Sequence, residues 1–109
     1  MADDSTVPMT LVQNEGWCLL RLEGEINIES AVELKRLLLE GLSGGQELRL
    51  DLERASGLDV TAWQLLWAGE RAARTSGRGF AVQGQVPEVI VVAARETGFE
   101  RCPGTGAAK

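Results

Sequence analysis

Few side chains in this sequence are placed where they could do chemistry. Asp59-Val60-Thr61 sets a carboxylate and a hydroxyl on either side of a valine, at the head of an apolar run. Asp59 is a good helix N-cap, and that role alone accounts for it. Thr61 reads as a first-turn residue bonding locally. Glu23 and Glu25 have no basic or metal-binding company and read as solvated strand ends. Gly41-Leu42-Ser43-Gly44-Gly45 has the composition of a phosphate loop, but it lies after a helix and before a strand. A phosphate cradle needs strand, loop, then helix, and no Lys-Ser or Lys-Thr comes after it. Arg71, Arg74 and Arg78 form a small basic patch near the end of a helix. The negative end of the helix dipole explains the first two, and contact with an acidic partner is the sharper alternative. Histidine is absent, which excludes a Ser-His-Asp site and any histidine-ligated metal. The sequence therefore reads as a non-enzyme with no cofactor and no metal.

The rest of the composition agrees. The 109 residues are one domain's worth of chain, 44% apolar and 25% charged, which are ordinary globular values. Sixteen acidic against eleven basic residues give a net charge of −5, the wrong balance for a nucleic-acid binder. No apolar run approaches the roughly 20 residues that span a bilayer, so no membrane insertion is expected. The start, Met1-Ala2-Asp3-Asp4-Ser5, is acidic and lacks the pattern of a secretory signal. Cys18 and Cys102, far apart, make no disulfide framework, and a cytoplasmic location fits best. Residues 1–8 and 101–109 read as flexible tails around a domain at 9–100.

Two apolar runs, Met9 to Gln13 and Trp17 to Glu23, flank Asn14-Glu15-Gly16 and predict a hairpin. A helix is expected from Ser30, with Ser30 and Glu33 as a capping box. Ala31, Leu34, Leu37, Leu38 and Leu42 recur at helical spacing, and Gly41 or Gly44-Gly45 ends the helix. Glu47 to Glu53 alternates charged and apolar residues strictly, the mark of a strand with one buried face. A second helix begins after Asp59 and runs to about Thr75. Gly79 to Gln83 predicts a short strand, and Pro87 opens a last helix ending near Thr97. Because Leu48, Leu50 and Leu52 bury one side only, the helices belong on a single face. The expected fold is α/β and two-layered, a mixed four-to-five-stranded sheet with helices packed on one face.

Gly24-Glu25-Ile26-Asn27, the strand Leu48 to Leu52, Leu58-Asp59-Val60-Thr61-Ala62-Trp63-Gln64-Leu65-Leu66 and Gly77-Arg78-Gly79-Phe80, in this order and spacing, resemble the STAS domain of anti-sigma factor antagonists, in a small stand-alone bacterial member. The likeness runs from Met9 to Phe99. It implies a protein partner: a serine kinase that doubles as an anti-sigma factor, or a related signalling scaffold. It also implies a phosphoacceptor Ser or Thr directly after an Asp at the start of the second helix, where helix amides and dipole receive a phosphate. Here Val60 occupies that position and has no hydroxyl. Ala62 replaces the usual glycine, and Asn27 stands where kinase-binding relatives often have Asp. The phosphoswitch is thus read as absent at Val60, with Thr61 the one nearby alternative acceptor.

On a helical wheel of the second helix, Ala62, Leu65, Leu66, Gly69, Ala72 and Ala73 cluster on a sheet-facing side, leaving Trp63, Trp67, Glu70, Arg71 and Arg74 opposite. Trp63 either folds over a neighbouring helix or joins this outer surface, and Trp67 reads as an interface residue, for a partner or a second copy of the chain. The expected partner-binding surface comprises Asn27, Asp59, Thr61, Trp63, Trp67, Arg71 and Arg74. Two other roles stay open: a regulatory STAS subunit of a lipid-transport ABC complex, and a nucleotide- or small-molecule-sensing STAS domain.

Overall fold

The computed structural model describes residues 9–44, 47–98 and 103–104. Strand β1 (Met9–Gln13) turns through Asn14-Glu15-Gly16 into β2 (Trp17–Ile26). The Asn14 N–H donates to the Trp17 carbonyl at 2.9 Å, and Gly16 takes a φ of +83° that a side chain would resist. A 3-10 turn over Ile28–Ser30 leads into α1 (Ala31–Ser43). Strand β3 (Glu47–Leu58), helix α2 (Val60–Thr75), strand β4 (Phe80–Val82) and helix α3 (Glu88–Glu96) complete the order.

The sheet order is β1-β2-β3-β4, with β1 antiparallel to β2 and the other neighbours parallel. Cys18, Leu20 and Leu22 of β2 and Leu48, Leu50 and Leu52 of β3 point into the core under the helices. The opposite face carries an Arg21–Asp51 ion pair at 3.1 Å and the Arg49 guanidinium 4.2 Å above the Trp17 ring. The alternation that marked Glu47 to Glu53 thus separates a dry face from a wet one, and the mixed two-layer sheet with helices on one side is observed, with four strands. Expectations for residues 1–8, 45–46, 99–102 and 105–109 lie outside the described residues.

Three local expectations are corrected. The strand at Glu47 to Glu53 runs on to Leu58, because β2 continues alongside it to Ile26 and supplies the partner groups. Helix α1 passes through Gly41, the first of its two expected stops, and ends at Ser43 with Gly44, the start of the second, as its C-cap. Gly41 is where the helix comes closest to the sheet: a Cβ there would lie 3.0 Å from Leu48 Cδ1 and 3.3 Å from Cys18 Sγ. The capping box does not form. Ser30 already has helical backbone angles and makes no side-chain cap, while Asn27, in extended conformation, accepts from the Glu29 and Ser30 amides at 3.0 and 3.3 Å. Glu33 turns outward to Arg36 at 2.6 Å, and that guanidinium holds its carboxyl below the usual range. The start of the helix has moved three residues upstream.

Cys18 is fully buried, and desolvation pushes its thiol above the ordinary value. A thiol held protonated reacts slowly, so native protein at pH 8 should resist iodoacetamide at Cys18 and lose that resistance in urea. Fast native labelling at Cys18, located by peptide mass, would contradict the packing. For the cap, Asn27→Ala should cost about 1 kcal/mol in urea unfolding, while Ser30→Ala stays within about 0.5 kcal/mol. The reverse order would restore the capping box.

Candidate partner-binding surface

The parallel pair β2–β3 decides what comes together. Between Arg21 and Ile26 the register slips twice, as β3 advances six positions from Asp51 to Gly57 while β2 advances four from Arg21 to Glu25. Such bulges bend a strand and re-aim the residues beyond them. The register recovers at Ile26 opposite Leu58, and the Asp59 N–H donates to the Ile26 carbonyl at 3.0 Å. Asn27-Ile28 and Asp59-Val60 therefore leave the same end of the sheet side by side, each opening a helical segment.

Both openings are capped from within. Asn27 caps the 3-10 turn, and Asp59 accepts from the Ala62 amide at 3.0 Å while its carbonyl receives the Trp63 N–H at 3.0 Å. The Asp59 carboxylate thus already sits on the positive end of α2, where an incoming anion would otherwise bind. Around these caps exposed aliphatic side chains alternate with polar ones such as Glu29 and Gln64. Ile28 is 66% exposed, Val60 53%, and Val32, in the first turn of α1, 79%. Thr61 is half-buried. Clustered exposed aliphatics gain by being covered. Among the described residues no group of His, Cys, Asp or Glu is arranged to hold a metal. A separate open cleft of about 800 Å³ lies along α3, bordered by Glu53, Pro87, Glu88 and Arg95.

The residues proposed from the sequence divide. Asn27, Asp59 and Thr61 converge with Val60 at this end. Trp63 does not: it is fully buried and belongs to the core cluster. The buried side of α2 is Ala62, Trp63, Leu66, Gly69, Glu70 and Ala73, whereas Ala72 is exposed. The wheel was turned because α2 packs against α1 as well as the sheet, so two neighbours set the buried arc. Trp67 is half-buried with its ring nitrogen shielded from water, unlike the outward-pointing residue expected. Arg74 binds the buried Glu70 at 2.5 Å, and Glu70 also accepts the Gly104 N–H at 2.7 Å. Arg78 donates to the Leu42 carbonyl at the end of α1, closing that helix. Of the basic patch, Arg71 is exposed on the far side of α2, well away from Val60.

Ile28 and Val32 were missed. Val32 was visible as an aliphatic residue off the Ala31-Leu34-Leu38 stripe of its own helix. Ile28 had no such signal, because its exposure depends on the turn capped by Asn27.

Comparison with known proteins places this geometry. Residues 9–101 match the sequence model of a family described as "Mlab, STAS domain". No curated protein sequence matches the chain. Among solved structures, the anti-sigma factor antagonist SpoIIAA in its unphosphorylated form aligns with a TM-score of 0.67 at 15% identity, over 93% of this chain and 89% of that one. A Thermotoga maritima protein assigned as an anti-sigma factor antagonist aligns with a TM-score of 0.62 at 18% identity, over 84% and 82%. The chain also overlays part of the Mglu structure (TM-score 0.63, 23% identity), where its matched segment spans 20% of that longer chain.

If α2 is set by burial rather than by the sequence wheel, Trp63→Ala should cost about 3–5 kcal/mol, and Arg71→Ala should stay within about 0.5 kcal/mol. Thermal unfolding of the two variants checks this directly. The fold of the described residues and the match over residues 9–101 lead to one statement of kinship: this chain belongs to the STAS domain family.

Proposed function

We propose that this chain is a non-catalytic protein-interaction module that regulates a signalling partner by competitive binding through the Asn27–Val32 and Asp59–Thr61 surface. The carrying observation is Val60: exposed, first in α2, directly after the Asp59 cap, and flanked by the exposed Ile28. An aliphatic side chain there favours binding and cannot take a phosphate. Asp59 supplies the local negative charge to its own helix amides, which removes the best-placed anion site. The module therefore binds without the phosphorylation reset that the resemblance implies for other members. The partner class that fits is a serine kinase acting as an anti-sigma factor, or a related scaffold in a bacterial cytoplasm.

A second reading rests on the family match to the Mlab-type domain. Some small STAS domains serve as regulatory subunits of lipid-transport ATPase complexes, and the same apolar surface would serve there.

The test uses the tagged chain as bait in lysate of its source, with Val60→Glu beside it. Wild type should capture a serine kinase or scaffold that Val60→Glu loses, with affinity for the purified partner on the order of tenfold weaker or more. Capture of a transporter ATPase instead selects the second reading. Equal capture by both baits overturns the surface. With a captured kinase and ATP, wild type should take up no phosphate, whereas phosphate mapped to Thr61 would overturn the claim of a missing switch.

A further inference from the structure

Helices α1 and α2 each connect neighbouring parallel strands, so they run parallel to each other, and between them lies an open apolar groove. One wall carries Leu39 and Leu42, the other Leu65, Ala68 and Ala72, with Lys35 among the lining residues. On each wall the lining residues fall at i, i+3, i+4 and i+7, from Lys35 to Leu42 on α1 and from Leu65 to Ala72 on α2. That is the seam a third helix reads. Leu39 is 58% exposed in the free chain. The hollow, about 210 Å³, is smaller than the roughly 300–1,000 Å³ of pockets that enclose small molecules. The small residues of α2 let a third backbone come close.

Charge narrows the occupant. On α1, Arg36 binds Glu33 at 2.6 Å and Glu40 at 3.2 Å, so the carboxylates of that helix are committed away from the groove. No ion pair to Lys35 is found among the described residues. The occupant should bring a short apolar stripe with a carboxylate at its end. This chain carries such an element. On α3, Val89 is 55% and Val92 37% exposed, and Glu96 continues them at i, i+3 and i+7 with Glu88 also exposed. Its nine residues extend about 13.5 Å, enough to cover the span of about 10.5 Å from Lys35 to Leu42. All three helices lie on one face of the sheet, so groove and α3 stripe look out of the same layer.

We infer that two copies of this chain associate through their helical layers, α3 of each lying in the α1–α2 groove of the other, with Glu96 facing Lys35. A reciprocal, two-fold arrangement uses both surfaces twice and closes, whereas a head-to-tail one would propagate. The association is of the weak class, and it is separate from the Val60 surface.

The experiment is sedimentation equilibrium of the full chain over roughly 20 μM to 1 mM, the range that spans a small interface. It is paired with amide shift mapping on dilution. Expected are a monomer–dimer equilibrium and shifts at Leu39, Leu65, Ala68, Val89 and Val92. Leu39→Glu and Val92→Glu alter exposed side chains and leave the melting temperature near wild type; each should weaken association on the order of tenfold or more. Lys35→Glu should weaken it too, and Glu96→Lys in the same chain should restore it. A monomer throughout overturns the inference. So does a dimer indifferent to both glutamate variants, or one that Lys35→Glu weakens and Glu96→Lys leaves unrestored.

Discussion

The pairing of β2 with β3 is the constraint on which the rest depends. These are the two longest strands, and they contribute the buried leucines under all three helices. Because they run parallel, each must lead into a crossover, and both crossovers begin at the same end. The two register slips set where those beginnings fall, and the Asp59–Ile26 hydrogen bond fixes them side by side. A straight ladder over the same residues would place Asn27 and Asp59 out of step.

That geometry brings two helix beginnings side by side at one end of the sheet. A helix start has free amides and a positive dipole, which suits a phosphate. Here Asn27 accepts from two of these amides and Asp59 from one, and the exposed Ile28, Val32 and Val60 stand beside them. Part of what these starts would offer an anion is thus taken up by the chain's own side chains. Trp63 anchors this arrangement from beneath: its backbone closes the first turn on Asp59 while its ring fills the core.

The order of elements was legible because strand alternation and helical spacing are local. Glu47 to Glu53 could bury its leucines one way only, and Asp59 marked the start of α2 to the residue. Where sequence reasoning failed, a distant neighbour decided. The far half of β3 is a strand because Gly24 to Ile26 runs beside it. Gly41 lies inside the helix, where a Cβ would press on Leu48 and Cys18 of the sheet, so this glycine marks a close approach and not a stop. The face of α2 was misplaced by treating the helix as packed on a sheet alone, when α1 claims Gly69 and the C-terminal residues claim Glu70. A single carboxylate on a helix gives no warning that it will be buried by a backbone amide 34 residues away.

Pro103 is fully buried, and the Gly104 carbonyl accepts the Val82 N–H at 2.9 Å while its own N–H donates to Glu70. This short contact closes the open side of β4 and ties it to the middle of α2. Sheet order puts β1 at the other extreme. Anything tethered beyond Gly104 would hang from the edge opposite β1. Tension applied there would pass through Val82 to β3 and through Glu70 to α2, so residues 103–104 join the sheet edge to the helix whose first turn holds Val60.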